Sequence, residues 1–308
     1  MKPSAVSIQN LKKSYGDTTA LKGINIEIND GEFFGLLGPN GAGKTTTINI
    51  LTGLVRKDSG SADIFGQDTI SNYRYTRAQI GISAQEFAQD WFFPIEKLLY
   101  FQAGYYGISK TQAKSKVDEL FERLGLEKKR QARLRQLSGG MKRRFQIAKA
   151  LVHDPKILIL DEPTAGVDVK LRHELWQYFR ELHQAGKTIL LTTHYIEEAE
   201  MLCDQVAIID NGEVITKGTP KNLTGKQGDS GITINLSDTE VDLKTYLKEF
   251  SYSLDNERIH FVSTDPEGDL PKIINSLTKA GCHIQRVETT KSSLEDVFLK
   301  LTGKGINE

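Results

Sequence analysis

The sequence is short of cysteine: Cys203 and Cys282 are the only two in 308 residues. Two cysteines cannot build a disulfide framework, so the chain fits a reducing compartment, and both read as small buried hydrophobes. Net charge is missing as well, with 40 Lys and Arg against 40 Asp and Glu. That removes a global field able to draw the chain onto nucleic acid or anionic lipid. No apolar run approaches the roughly 18 residues of a membrane helix, so the chain is not expected to span a membrane by itself. Met1-Lys2-Pro3-Ser4 leads into no apolar stretch, and no secretory signal is expected. There is no internal repeat and no long low-complexity run. The length suffices for a sizeable core and predicts two domains.

Against these absences stands Gly38-Pro-Asn-Gly-Ala-Gly-Lys-Thr45, which meets the phosphate-loop pattern G-x-x-x-x-G-K-[ST] at every fixed position. Its flanks are those the mechanism requires. Phe33, Phe34, Leu36 and Leu37 read as a buried strand, and Ile50, Leu51 and Leu54 follow at helical spacing. Glycines let backbone N–H groups close around an anion, and a helix N-terminus adds partial positive charge. Lys44 can then reach terminal phosphates, and the Thr45 hydroxyl can hold Mg²⁺. Asn40, Gly41, Gly43, Lys44, Thr45 and Thr46 are the candidate phosphate-binding positions.

In chain order, residues 4–28 read as strands, with Ile24, Ile26 and Ile28 alternating with polar residues, and Asp30-Gly31 is a hairpin signal. Short strands are expected at 62–65 and 80–83. Residues 86–108 are dense in aromatics, among them Phe87, Trp91, Phe92, Phe93, Tyr100, Phe101, Tyr105 and Tyr106. The run Trp91-Phe-Phe93 has no helical period, which predicts exposed aromatics and a docking surface from Gln85 to Tyr106. A helix is expected from Ser109 to its stop at Gly125, then a basic solvated stretch over 127–136, then a helix to Leu151. Ile157-Leu-Ile-Leu160 predicts a strand buried on both faces. A helix over 170–184, a strand over 188–193 and a hairpin about Asn211-Gly212 complete the larger part. Residues 225–231 read as a linker between a domain over 1–224 and a small α+β domain over 232–308. The latter has strands at 232–236, 258–263 and 282–288 and helices at 241–250, 269–280 and 292–302, close to a split βαβ arrangement.

Two further signals bear on chemistry. Asp161-Glu162 ends the buried strand, where carboxylates face a ligand crevice. Beside a phosphate loop, Asp161 is placed to hold Mg²⁺ and Glu162 to polarise water. Taken alone, the pair would be a solvated acidic turn. The second signal is Leu137-Ser-Gly-Gly-Met141, where Ser138 can cap a helix. Lys142, Arg143 and Arg144 crowd the first turns of that helix, against its dipole, and a bound anion or splaying into solvent would each resolve the conflict.

Phosphate loop, Leu137–Met141 and Asp161-Glu162, in this order and spacing, resemble the ATP-binding cassette (ABC) family over residues 4–220. The resemblance implies an α/β phosphate-loop NTPase fold: a RecA-like core, an antiparallel β-subdomain and a helical subdomain carrying the signature, here Leu137–Met141. It implies that Tyr15 stacks on adenine, that Gln85 senses Mg²⁺ and couples to a membrane partner, and that Asp168 lies in a loop communicating across a dimer. His194 would contact the γ-phosphate, and Ser138, Gly139 and Gly140 would bind the nucleotide of the other subunit. Taken alone, Tyr15 would be a strand aromatic, Gln85 a polar loop residue, Asp168 a helix cap and His194 structural. Met141 replaces the usual glutamine of the signature, and Val167 a common leucine. Gly140–Arg144, Thr164–Asp168, Thr193-His-Tyr195 and Ser293–Phe298 look like the ATPase subunits of ABC-2-type exporters of the daunorubicin-resistance-type and YadG-like group, which carry a small domain after the cassette.

The resemblance thus implies an ATPase that binds ATP and Mg²⁺ as a homodimer and powers export through a permease in a separate chain, on the cytoplasmic side of a bacterial membrane. Two rivals come with it. A cassette ATPase acting on nucleic acid or ribosomes is disfavoured by the single phosphate loop and the neutral charge. An importer differs only in its permease.

Overall fold

The computed structural model describes residues 4–84, 92–227, 231–237, 243–255, 258–263, 266–290 and 293–303. The chain divides into two compact units; the described residues of the first lie within Met1–Lys217, and the second is Gly218–Gly305.

The first unit opens with β1 (Ser4–Tyr15) and β2 (Thr18–Asn29), which pair antiparallel. In β2, Ile24, Ile26 and Ile28 are buried while Asn25 and Glu27 are exposed, as alternation requires of a half-buried strand. With β4 (Ser59–Ile64) and β5 (Gln67–Asp68) they form a four-stranded sheet in the order β2-β1-β4-β5. The Asp30-Gly31 turn does not make a hairpin. It carries the chain from this sheet into another, because β3 (Phe33–Leu37) is buried at every position and needs cover on both faces. The turn is held by the Glu32 carboxylate, which accepts from the Asn29 backbone N–H at 2.6 Å, and by the Thr188 hydroxyl, which accepts from the Gly31 N–H at 2.9 Å.

The second sheet has the order β10-β9-β3-β8-β7-β6. Its members besides β3 are β6 (Ile80–Ser83), β7 (Ile157–Asp161), β8 (Thr188–Thr193), β9 (Gln205–Asp210) and β10 (Glu213–Gly218). Strands β6, β7, β8, β3 and β9 run parallel, and Asn211-Gly212 turns the chain from β9 into its neighbour β10. Between the sheets lies α1 (Lys44–Leu51), and one apolar core joins all three through Val6, Ile26, Phe34, Ile48 and Ile159.

Helices α2 (Tyr73–Ala78), α3 (Ile95–Tyr105), α4 (Lys110–Arg123) and α5 (Gly139–Leu151) follow. A Ser109–Gln112 capping box starts α4, which ends at Gly125 with φ of 62°. Helices α3, α4 and α5 pack on one another. The carboxyl-edge helices are α6 (Val169–Gln184) and α7 (Ile196–Leu202).

The second unit holds α8 (Pro220–Gln227), β11 (Gly231–Leu236), α9 (Leu243–Tyr246), β12 (Tyr252–Asp255), β13 (Arg258–Val262), α10 (Pro266–Lys279), β14 (Ile284–Thr290) and α11 (Leu294–Thr302). Its antiparallel sheet has the order β12-β13-β11-β14, the βαββαβ arrangement with α8 and α11 added. Ile232, Ile234, Phe261, Ile273 and Leu277 form its own core. In the stretch 225–231, α8 runs on to Gln227 and β11 begins at Gly231.

Candidate active site

The phosphate loop leaves the carboxyl end of β3 and enters α1 at Gly43, whose φ of 110° is open to glycine and strained for other residues. Gly38 is required for a different reason: a Cβ there would lie 2.2 Å from the Ile209 carbonyl oxygen. Lys44 is buried, and its ammonium donates to the carbonyls of Gly38 at 2.6 Å and Pro39 at 2.9 Å. Asn40, Gly41 and Thr45 are exposed around it, Thr46 is half-buried, and Thr47 spends its hydroxyl on the Gly43 carbonyl.

Strand order brings the second signal beside the first. Strand β8 lies between β3 and β7, so Leu37 faces Thr193 and Asp161 faces Thr192 across the ladders. The Thr192 hydroxyl donates to Asp161 Oδ1, and this carboxylate is 6% exposed. Glu162 follows with φ of 49°, a left-handed conformation in a residue that is not glycine. Its N–H donates to the Thr192 carbonyl at 2.9 Å. Its Oε2 lies 3.3 Å from His194 Nδ1. Three adjacent parallel strands therefore deliver Lys44, Asp161, Glu162 and His194 to one end of the sheet.

The electrostatics are those of a dry, charged pocket. Burial pushes the Lys44 ammonium below its ordinary value, against the pull of Glu162 and Asp161. Burial likewise raises the Asp161 carboxyl, opposed by the Thr192 hydroxyl. Each charged group is short of solvation that a polyanion with its counter-cation would supply. The donor set suits Mg²⁺: a hydroxyl at Thr45 and a carboxylate at Asp161 are hard oxygens. Among the described residues no cluster of three or more His, Cys, Asp or Glu forms a protein-only metal cage, and Mg²⁺ commonly relies on substrate phosphates and water.

Residues 137–141 lie elsewhere. Ser138 caps α5, accepting from the Met141 N–H at 3.3 Å. Ser138, Gly140 and Met141 line a concavity of about 400 Å³ with Arg144, Asp168, Lys170, Leu171 and Glu174, and no phosphate-loop residue lines it. Asp168 caps α6 through the Leu171 N–H at 2.9 Å. Tyr15 is 48% exposed at the end of β1, with the Lys13 ammonium 5.3 Å from its ring centroid. Gln85, and with it Phe87 and Trp91, lies outside the described residues.

The conflict expected of Lys142, Arg143 and Arg144 is answered for two of the three by protein partners rather than by an anion. Arg143 turns inward and is 4% exposed, donating to the carbonyls of Glu162 at 2.7 Å and Ala84 at 3.1 Å. Arg144 donates to Glu174 and to the Leu124 carbonyl. Both a bound anion and splaying into solvent treat the three as one surface group, whereas helical rotation sends neighbours to different faces. Glu198 was not anticipated either. It is fully buried on α7, accepting from the Thr164 hydroxyl at 2.6 Å and the Trp176 indole at 2.8 Å. A buried carboxylate gives no periodic signal in an acidic stretch such as Glu197-Glu198-Ala-Glu200.

The family model described as ABC transporter matches residues 21–165. The chain is 37% identical to the Nod factor export ATP-binding protein I of Burkholderia orbicola (strain AU 1054), over 100% of both chains. It is 36% identical to the protein of that name from Paraburkholderia xenovorans (strain LB400), again over 100% of both. A solved dimeric ATP-binding cassette in a post-hydrolysis state, bound to ADP and Pi, is similar at a TM-score of 0.65 and 28% identity, covering 70% of this chain and 98% of that one.

Proposed function

The chain belongs to the ABC transporter family as one of its ATPases, and from that premise we propose that it is the motor subunit of an exporter. The convergence of Lys44, Asp161, Glu162 and His194 from three adjacent strands carries this reading. End-to-end similarity to export ATPases supports the direction of transport. The motifs at Gly140–Arg144, Thr164–Asp168 and Ser293–Phe298 favour the ABC-2 group, of the daunorubicin-resistance or YadG-like kind. No helix among the described residues is long and apolar enough to cross a membrane, and the end-to-end similarity to proteins named as export ATP-binding proteins supports a permease in a separate chain. The motor works on the cytoplasmic face of the membrane, where ATP is supplied. The larger unit acts as the cassette, and the smaller one, which takes in residues 218–224 that the sequence reading assigns to the cassette, acts as a small regulatory or dimerisation domain.

ATP is the substrate, its adenine stacked on Tyr15 and its phosphates wrapped by residues 40–46. Thr45 and Asp161 would hold Mg²⁺, and Gln85 is the further ligand that the family resemblance implies. Held there, the metal would supply charge neutralisation to the phosphates. Lys44 binds the terminal phosphates, giving up its bonds to Gly38 and Pro39. The Glu162 carboxylate orients the attacking water and draws its proton as the water oxygen bonds to phosphorus and the bond to ADP breaks. His194, within reach of Glu162, holds the γ-phosphate or that water. Ser138, Gly139 and Gly140 of a second copy close the site, with Asp168 at the junction.

The permease docks on the surface from Gln85 to Tyr106. In that stretch Phe92 is 78% exposed and Tyr105 85%, and Tyr106 lines a concavity of about 180 Å³ with Leu54, Arg77 and Ile82. Phe92→Ala should leave ATP hydrolysis by the isolated subunit intact and weaken its co-purification with the permease; normal pull-down and transport would remove this docking surface. The chemistry is tested by Glu162→Gln. Hydrolysis should fall by about 10²-fold or more while ATP binding persists and an ATP-bound dimer accumulates on size exclusion. Near-normal turnover would take Glu162 out of the catalytic role.

A further inference from the structure

Arg143 has no part in the assignments above, yet it touches two of the segments on which they depend. It sits in α5, the helix that opens at Ser138, and its guanidinium points away from the concavity that Ser138 lines. Nη2 donates to the Glu162 carbonyl at 2.7 Å; Nη1 donates to the Ala84 carbonyl at 3.1 Å and to Gln146 Oε1 at 3.0 Å. Ala84 immediately precedes Gln85. The Glu162 peptide is thereby gripped from both sides, its N–H by the Thr192 carbonyl and its C=O by Arg143. Such a grip matters at this residue because its left-handed φ of 49° is one an L side chain avoids. A guanidinium suits the task, since its planar fork reaches two separated carbonyls at once and stays charged when buried. Asp161, Glu162 and Glu198 supply compensating negative charge around it, against the burial that lowers its pKa.

We propose that Arg143 is a positioning residue for hydrolysis: from the helix that carries Ser138 it fixes the backbone of Glu162, and with it the direction of the catalytic carboxylate, while tying that backbone to the Ala84 carbonyl just past the end of β6. This rests on the reading of Glu162 as the residue that orients water. Arg143 is not among the residues proposed to bind the nucleotide. Its loss should misdirect the carboxylate while sparing the phosphate loop and Ser138.

The test compares full-length Arg143→Gln, Arg143→Lys and Glu162→Gln with the parent chain. Arg143→Gln should lower kcat tenfold or more, keep the ATP dissociation constant within about twofold, and still form an ATP-bound dimer on size exclusion. Arg143→Lys, which keeps the charge and loses the fork, should recover part of kcat. Parental kcat in Arg143→Gln would overturn the proposal. So would loss of ATP-driven dimerisation in step with kcat, which would make Arg143 a support for Ser138. If Arg143→Gln does not fold, Arg143→Lys decides: reduced kcat at parental Tm upholds the proposal, and kcat falling only as Tm falls overturns it. Full hydrolysis by the Glu162→Gln control would instead refute the role of Glu162.

Discussion

Tyr15 and Glu162 differ in exposure in the direction that their proposed tasks require. A residue that stacks on a base must offer an open face, and Tyr15 is half exposed with a lysine ammonium over its ring. Tyr15→Ala should weaken ATP binding by about 1 kcal/mol, the size of one stacking contact, which is roughly fivefold in Kd. Titration with a fluorescent ATP analogue would show it, and an unchanged Kd would leave Tyr15 a strand residue. A residue that directs water must be fixed. Glu162 is 9% exposed, in a backbone conformation that costs an L residue roughly 1–2 kcal/mol. The places of Lys44, Asp161 and Ser138 were legible in the sequence, because each is a residue type at a set position: a lysine after the glycine loop, a carboxylate ending a buried strand, a serine opening a helix. Arg143 and Glu198 were not, since their value lies in partners distant in sequence at Glu162, Ala84, Thr164 and Trp176. Only the fold discloses those partners.

Elements show the same division. The alternating burial of β2 and the uninterrupted burial of β3 and β7 could be read from residue order. What lay between β2 and β3 could not, because a turn signal does not say whether the next strand returns to the same sheet. A second undisclosed contact ties the end of α3 to the end of α5. The His153 ring stacks on Tyr106 with centroids 3.6 Å apart, its Nε2 donates to the Ile80 carbonyl at 3.0 Å, and its Nδ1 is buried without a hydrogen-bond partner. Burial lowers its pKa from 6.5 to about 4, against the Ile80 carbonyl. The folded state thus binds this proton less readily than the unfolded chain. Its contribution is whole above pH 6.5 and is lost as pH falls towards 4, a change of about 3 kcal/mol. His153→Phe keeps the stack and removes the titration. Its Tm should therefore fall less than the parent's between pH 7 and pH 4.5, and parallel curves would contradict the burial argument.

Across the whole molecule, the residues proposed to form one site lie in two groups that do not meet. The phosphate loop, Asp161, Glu162 and His194 gather at the end of the parallel sheet, while Ser138, Gly140 and Asp168 line a separate concavity free of phosphate-loop residues. A head-to-tail pair would join each half to its complement. Mixed dimers of Lys44→Ala and Ser138→Arg separate this from a site complete in one chain. With both changes in one subunit, one composite site has a damaged phosphate loop and the other a damaged signature, so neither is whole. With one change in each subunit, both defects fall in the same composite site and the other keeps two wild-type halves. The second arrangement should retain partial ATPase activity and the first should retain almost none, although both contain the same two substitutions. A site complete within one chain predicts the reverse, because doubling the damage in one subunit spares the other. Phosphate release from purified mixed dimers, normalised to homodimers of each single variant, reads the difference directly, and equal activity in the two arrangements would contradict a shared site.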